Sequence, residues 1–145
     1  MVAQERGKCK PFLAAGGNLC YNRGKGLATG SPDGNRKSLK GADGTEYLWV
    51  GDPAYWREHA PVLFPIVGAL RENKAKIHGE WVEMNRHGFA KRSEFAVKEQ
   101  REDYIALRLT ANETTRKVYP FDFALTVAYT LTQEGVTTAF TVENL

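Results

Sequence analysis

Residues 121–132 constrain the fold more than any other part of the sequence. Apolar or aromatic side chains occupy every second position there, namely Phe121, Phe123, Leu125, Val127, Tyr129 and Leu131. Successive side chains of a β-strand point to opposite faces, so this period of two predicts a strand with one buried face. Such a strand needs neighbouring strands that hydrogen-bond to it and a layer that covers its apolar face.

Shorter segments with the composition of strands surround it. In 93–100 and 104–110 we expect the inward residues to be Phe95, Val97, Ile105, Leu107 and Leu109. His78 and Gly79 separate two further strands, and the glycine can supply the positive φ of a hairpin turn. The complete set of predicted strands is 46–50, 74–77, 80–84, 93–100, 104–110, 121–132 and 137–143.

Two other features complete the fold prediction. Residues 61–67 are apolar but contain Pro61 and Pro65, which favours an extended segment at a sheet edge or a buried loop over a central strand. No segment has a strong helical period, and no internal repeat is visible. The sequence therefore predicts an all-β fold, a sandwich or barrel built from antiparallel hairpins.

The last predicted strand reaches the end of the sequence with no turn after it. Residues 136–145 are strand-like and half apolar, alternating through Thr138, Phe140 and Val142. A strand left at the border of a sheet exposes an edge that pairs readily with another chain. We expect the sequence to stop inside a larger fold, and the exposed edge to permit self-association.

Residues 1–36 differ from the rest in composition and form a basic, glycine-rich arm. Residues 1–40 hold eight Lys and Arg against two acidic residues, although the net charge of the whole protein is only +3. We expect the arm to be poorly ordered, with at most one short strand, because it cannot bury enough apolar surface. A nucleic-acid-binding tail is an alternative that we do not favour, since the arm has few aromatics and no recognition motif.

The composition also limits the location and the cofactors. The longest apolar runs are far shorter than the roughly 20 residues that span a bilayer, and residues 11–15 are too short for a signal peptide. We therefore expect a cytoplasmic protein with no membrane partner. Because no secretory signal is visible, we predict that Cys9 and Cys20 are free thiols. No histidine lies near them, so we predict no metal site there.

The densest group of polar residues lies in the loop 85–92, between two predicted strands. It contains Asn85, Arg86, His87, Phe89 and Lys91. Loops on a rigid scaffold commonly carry binding residues, and sugar hydroxyls need directional donors and acceptors. An aromatic ring suits the apolar C–H face of a pyranose. Taken alone, the segment is also compatible with a solvated basic turn and a structural histidine.

A second group precedes the proline-containing segment. Tyr55 and Trp56 are followed by Arg57, Glu58 and His59. The rigid segment that follows could fix Arg57 at the mouth of a pocket. Alternatively, Arg57 and Glu58 are ordinary surface charges and His59 is an exposed imidazole.

Several motifs, in order along the chain, resemble the aldose 1-epimerase (galactose mutarotase-like) family, in particular its small bacterial branch. The motifs are Gly-Thr-Glu-Tyr-Leu-Trp at 44–49, Gly-Asp-Pro-Ala-Tyr-Trp at 51–56, Ala-Pro-Val-Leu-Phe-Pro-Ile-Val-Gly at 60–68, His-Gly-Phe-Ala-Lys at 87–91, Ser-Glu-Phe at 93–95 and Tyr-Pro-Phe-Asp-Phe at 119–123. The resemblance covers about residues 37–145 and leaves out residues 1–36.

The resemblance implies a large antiparallel β-sandwich and an isomerase that interconverts the anomers of a hexose or hexose phosphate without a metal or organic cofactor. By position, the resemblance matches His87 to a histidine that hydrogen-bonds the sugar, and Arg57 to an arginine that lines the pocket in the sugar-phosphate members of the family. Arg86, Phe89 and Lys91 complete the predicted substrate-binding set. Lys91 stands where the motif has arginine, which keeps the charge and loses the bidentate fork.

The resemblance assigns no catalytic residue to this sequence. In the family, a histidine and a carboxylate exchange protons with the sugar, and both follow the strand that 141–144 resembles. We therefore expect the sugar-binding part of an epimerase-like enzyme that is inactive as it stands. A non-catalytic carbohydrate-binding β-domain is the first alternative, and nucleic-acid binding through the basic arm is the second.

Overall fold

The computed structural model describes residues 26–30, 36–41, 45–101, 103–132 and 135–145. Within these ranges the regular structure consists of eight strands, one helical turn and two short 3-10 turns. The strands are β1 (Gly26–Gly30), β2 (Arg36–Gly41), β3 (Lys74–Ile77), β4 (Glu80–Glu83), β5 (Ala96–Gln100), β6 (Tyr104–Thr110), β7 (Phe123–Leu131) and β8 (Val136–Asn144), and the helical turn is α1 (Glu113–Arg116).

The strands form three antiparallel sheets. β1 pairs with β2, β3 pairs with β4, and the last four strands form one sheet in the order β5-β6-β7-β8. Each strand of that larger sheet pairs with the strand that follows it in sequence. The predicted all-β antiparallel architecture, with little helix, is confirmed.

The core lies on one face of the four-stranded sheet. Alternate residues of the two central strands are almost fully buried there, and the most completely buried large side chains are Ile105, Leu107, Leu125 and Val127. Burying a side chain of this size contributes about 1.5–3 kcal/mol. Loop residues Val62, Ala90 and Phe95 cover this face, with Phe64, Phe89 and Tyr119 packed at its margin. The period of two in residues 121–132 therefore corresponds to β7, one of the two central strands.

The opposite face of the central strands is buried as well, which the alternation did not predict. Ala106, Ala124 and Thr126 lie on that face and are almost inaccessible. All three side chains are small. Arg108 and Glu143 form an ion pair on the same face, 3.0 Å between Nη2 and Oε2.

The turn between β3 and β4 has the predicted conformation. His78 has φ of 50° and Gly79 has φ of 90°, and the four residues of each strand pair in register across the turn. A two-residue turn with positive φ at both positions matches the twist of the flanking strands.

The prediction of a strand at 46–50 is wrong. Glu46 makes one isolated bridge, and no strand follows it. Its carboxylate accepts hydrogen bonds from the backbone N–H groups of Leu39 (2.8 Å) and Leu48 (3.0 Å), and from the Ser38 hydroxyl. A side chain that captures local backbone donors competes with a sheet ladder, and the segment stays a loop.

Val97 lies on the predicted face of the sheet, but its side chain is exposed and does not join the buried core. β5 begins only at Ala96, because Ser93 caps the preceding 3-10 turn Ala90–Arg92, its N–H donating to the carbonyl oxygen of Ala90, and residues 93–95 form no strand. Val97 lies opposite Leu107, but on the outermost strand and beside a register shift between Val97 and Glu99. The core layer does not extend over it.

Residues 61–67 form a loop, as the two prolines predicted. Val62 is buried in the core, and Phe64 makes an isolated parallel bridge with Gly88. This contact brings the loop against residues 85–92.

Most of the basic arm lies outside the described residues, including Cys9 and Cys20. Within the arm the structure describes β1 and Arg36, the first residue of β2. No helix in the described ranges is long and apolar enough to cross a membrane.

Candidate functional site

The backbone of the His87-Gly88 turn is fixed by the proline-containing loop beneath it. His87 and Gly88 both have φ of 70°. A Cβ atom on Gly88 would lie 2.1 Å from the carbonyl oxygen of Phe64, so only glycine fits this position. The same oxygen accepts hydrogen bonds from the N–H groups of Phe89 (2.9 Å) and Ala90 (3.2 Å). The turn therefore rests directly on the Phe64 backbone.

The orientation of the His87 ring follows from its partner. Its Nδ1 donates a hydrogen bond to the carbonyl oxygen of Val67, and the backbone N–H of His87 donates to Gly68 O at 2.9 Å. A carbonyl only accepts, so Nδ1 carries the proton in the neutral ring. The other nitrogen, Nε2, is then a hydrogen-bond acceptor, which is the role needed to bind a hydroxyl group.

Lys91 and Glu58 link the loop to the segment that carries Arg57. The Nζ of Lys91 lies 2.7 Å from Oε1 and 3.0 Å from Oε2 of Glu58. The Lys91 side chain is only 10% exposed, so this pair is largely shielded from solvent. Lys91 is consequently committed to Glu58 and fixes the distance between the two segments.

Trp56 and Arg57 are positioned by a compact aromatic turn. Trp49 Nε1 donates to the carbonyl oxygen of Trp56 at 2.7 Å, and the Trp49 and Tyr55 rings meet edge to face. His59 Nδ1 donates to the carbonyl oxygen of Trp49 at 3.0 Å. His59, which the sequence left open as an exposed imidazole, therefore helps to hold this turn together.

These segments line an open cavity of about 790 Å³. It brings together four of the five predicted substrate-binding residues, Arg57, Arg86, His87 and Lys91. The other residues of its wall are Trp56, Glu58, Pro61, Leu63 and Arg92. Neither Trp56, which precedes Arg57, nor Arg92, the last residue of the loop 85–92, belongs to the predicted substrate-binding set.

The cavity is strongly basic. Its wall carries three guanidinium groups, one lysine and one carboxylate, and that carboxylate is paired with Lys91. The structure shows no ion pair for Arg57, Arg86 or Arg92 within the described residues. Guanidinium groups without a carboxylate partner are suited to bind an anionic or hydroxyl-rich ligand.

Phe89 is the predicted residue that the structure does not bring to this cavity. Its ring packs against Phe64, Tyr119 and Phe123 at centroid distances of 5.8 to 6.3 Å. The aromatic side chain in the cavity wall is Trp56 instead. A sugar contact for Phe89 stays a prediction.

A second cavity, of about 840 Å³, lies on the other side of the same loop. It is lined by three carboxylates, Glu83, Glu94 and Glu113, and by Arg92, together with Asn112 and Thr115 at the start of α1. Arg92 belongs to both walls. Phe89, Ser93 and Glu94, which belong to motifs of the sequence, also line this cavity, although no site was predicted there.

The described residues contain no group of three or more histidine, cysteine or acidic side chains that could hold a metal ion. That no metal or organic cofactor takes part stays a prediction from the family resemblance.

The part of the chain that carries the site is similar to known proteins. The Aldose 1-epimerase family model matches residues 37–145. The plasmid and chromosomal LacX proteins of Lactococcus lactis subsp. lactis are each 38% identical over 117 residues, which is 77% of this chain and 39% of LacX. The chain thus spans about two fifths of the length of these relatives.

Solved structures agree with this comparison. A galactose mutarotase related enzyme from Lactobacillus acidophilus superposes with a TM-score of 0.84 at 34% identity, covering 88% of this chain and 43% of that one. A galactose mutarotase-like protein from Lactobacillus casei gives a TM-score of 0.83 at 32% identity, with coverages of 88% and 44%. The family model, the sequence identities and the antiparallel fold agree, and this chain belongs to the aldose 1-epimerase family.

Proposed function

We propose that this chain forms the carbohydrate-binding part of an aldose 1-epimerase-like isomerase, which interconverts the α and β anomers of a hexose or hexose phosphate. The observation that supports the proposal is the basic cavity, where Arg57, Arg86, His87 and Lys91 meet. Two segments about 30 residues apart in sequence build it, and the Lys91–Glu58 pair joins them.

Each side chain has a distinct part in binding the sugar. The Nε2 of His87 accepts a hydrogen bond from a sugar hydroxyl, because Nδ1 is engaged by Val67 O. Arg57 and Arg86 donate to hydroxyl or phosphate oxygens. Trp56 offers an indole face to the C–H groups of the ring.

The charge of the cavity favours a phosphorylated hexose over a neutral one. Three guanidinium groups line the wall, and the single carboxylate is already paired with Lys91. An arginine–phosphate contact is commonly bidentate and about twice as strong as a neutral hydrogen bond. We therefore expect a hexose 6-phosphate to bind more tightly than the parent hexose.

We further propose that the 145-residue polypeptide alone does not catalyse this interconversion. The family resemblance assigns both proton-transfer residues to positions that follow the strand matched by 141–144. A polarimetric assay should show anomer interconversion at the rate of buffer containing an inert protein. Rates well above that background would contradict this part of the proposal.

The non-catalytic carbohydrate-binding domain remains the second candidate, because the same cavity serves it equally well. The nucleic-acid alternative rests on residues 1–36, most of which lie outside the described residues, and no observation favours it.

Calorimetric titration tests the binding proposal with a matched pair of variants. His87→Ala should abolish saturable binding of the hexose or its 6-phosphate, since it removes the acceptor from the cavity wall. His78→Ala is the control: His78 also has positive φ, but it lies in the β3–β4 turn against Phe121 and away from the cavity. Equal losses in both variants, or no binding by the unmodified protein, would contradict the proposal.

A further inference from the structure

A single carboxylate lies among the basic side chains of the cavity wall. Four of the nine described residues that line the cavity are basic, namely Arg57, Arg86, Lys91 and Arg92, and Glu58 is the one acidic residue of that set. Both oxygens of Glu58 contact the Nζ of Lys91, at 2.7 and 3.0 Å. The charge of Lys91 is therefore balanced within the protein, and the three guanidinium groups are left for a ligand.

The two partners of this pair differ in their exposure to solvent. The Lys91 side chain is 10% exposed, whereas the Glu58 side chain is 43% exposed. A shielded ammonium group without an anion at close range is costly, so Lys91 needs a negatively charged partner. Glu58 is that partner, and it occupies hydrogen-bond donors that Lys91 would otherwise present to the cavity.

We propose, on the basis of the sugar binding proposed above, that Glu58 determines the specificity of the cavity by limiting its preference for phosphorylated sugars. Its carboxylate holds the Lys91 ammonium group away from the ligand, and its negative charge opposes a phosphate group that enters the same cavity. A hexose 6-phosphate still binds more tightly than the hexose, because of the three guanidinium groups. The margin is smaller than four available cations would give.

The two ligands respond differently to Glu58 because only one of them is charged. A phosphate monoester carries about −1.5 to −2 charges at pH 7 and has strong acceptor oxygens. It competes with the Glu58 carboxylate for Lys91 and is repelled by that carboxylate. A neutral hexose has no charge to repel, and a carboxylate accepts hydrogen bonds from hydroxyl groups. Removing the charge of Glu58 therefore favours the phosphorylated ligand over the neutral one.

The two segments of the cavity have supports other than the ion pair, so the effect of Glu58 on charge can be separated from its effect on shape. The backbone N–H of His87 donates to Gly68 O at 2.9 Å. On the other segment, Trp49 Nε1 donates to the carbonyl oxygen of Trp56 at 2.7 Å. These hydrogen bonds remain when the charge of the ion pair is removed.

Calorimetric titration of the whole chain with a hexose and with its 6-phosphate tests the proposal. The readout is the ratio of the two dissociation constants, hexose over hexose 6-phosphate, because a general distortion of the cavity weakens both ligands and leaves the ratio unchanged. Glu58→Gln should raise this ratio about three- to tenfold. Glu99→Gln is the control, since it removes the same charge from an ion pair whose glutamate is 50% exposed and lies outside the cavity wall. It should leave the ratio unchanged.

Two further variants show whether Lys91 mediates the effect. The double variant Glu58→Gln with Lys91→Gln should lose most of the gain, because the ammonium group that Glu58→Gln releases is absent. Glu58→Asp keeps the negative charge and should retain the ratio of the unmodified protein within about twofold. Urea denaturation of each variant verifies that it is folded at the temperature of the titration.

Inorganic phosphate distinguishes a failure of this proposal from a failure of the proposed function. If the unmodified protein binds neither sugar, the proposed function is contradicted, and titration of the same variants with inorganic phosphate still tests the role of Glu58. Tighter phosphate binding by Glu58→Gln than by Glu99→Gln would support that role, and no phosphate binding by any variant would overturn it. With sugars that bind, a ratio that falls or stays the same in Glu58→Gln, or that rises equally in Glu99→Gln, would also overturn the proposal.

Discussion

The Nζ of Lys91 lies 2.7 Å from Oε1 of Glu58, joining two segments that are 33 residues apart in sequence. Glu58 follows Arg57, and Lys91 belongs to the loop that carries His87. The pair therefore sets the distance between the two sides of the basic cavity. It is also the only ion pair of the described residues whose lysine or arginine is this well shielded from water.

Glu58→Gln should destabilise the protein by about 1–2 kcal/mol, because it leaves the shielded Lys91 ammonium group without a counter-charge. The cost stays below that of a fully buried pair, since Glu58 is half-exposed. Urea denaturation measures the difference. Glu99→Gln is the control, as its partner Arg101 is well exposed, and it should cost less than about 0.5 kcal/mol. Similar losses in the two variants would contradict the importance of shielding.

Gly88→Ala should destabilise the protein by about 3 kcal/mol or more. The added Cβ atom would lie 2.1 Å from Phe64 O, in a backbone conformation that disfavours side chains. Gly79→Ala isolates the conformational cost, since Gly79 also has positive φ but has open space around it, and it should cost about 1 kcal/mol. Thermal unfolding of both variants gives the comparison. A milder effect at Gly88 than at Gly79 would show that the turn does not rest on Phe64.

Trp56→Ala should weaken sugar binding about three- to tenfold, because it removes the aromatic face of the cavity wall. Phe89→Leu should change the affinity less than about twofold. It should instead lower the free energy of unfolding by about 1 kcal/mol, since its ring packs among Phe64, Tyr119 and Phe123. Calorimetric titration and urea denaturation separate the two effects. A loss of affinity in Phe89→Leu would instead support the sugar contact predicted from the sequence.

Thr126→Val should stabilise the protein by about 0.5–2 kcal/mol. The Thr126 hydroxyl is buried in the sheet and has no hydrogen-bond partner in the part of the chain that the structure describes. Thr115→Val is the matched control, because the buried Thr115 hydroxyl bonds with the backbone N–H and carbonyl of Asn112. It should destabilise the protein by about 1 kcal/mol. Equal signs for the two substitutions would contradict this account.

Local sequence patterns correctly predicted two elements of the fold, a strand and a hairpin turn. The alternation of residues 121–132 identified the central strand, and the His78-Gly79 pair identified a two-residue hairpin turn. Both depend only on neighbours along the chain. The strand predicted at 46–50 failed for a reason that composition does not reveal, because the Glu46 carboxylate occupies backbone donors at Leu39 and Leu48.

The candidate site could be predicted only in part. His87 and Arg57 were identified through the family resemblance, and the structure brings both to the cavity. The Lys91–Glu58 pair could not be predicted, because long-range ion pairs leave no periodic signal in the sequence. The positions of Phe89 and Trp56 are decided by tertiary packing around the core, which no local pattern encodes.

A titration of the ¹⁵N-labelled protein with a hexose 6-phosphate, followed by amide and indole chemical shifts, tests most directly whether the basic cavity binds sugar. We expect saturable shifts at the Trp56 indole and at the amides of Arg57, His87 and Arg86, with the Trp81 indole unchanged. Shifts confined to Thr115 and its neighbours in the other cavity, or no saturable shifts at all, would contradict the account.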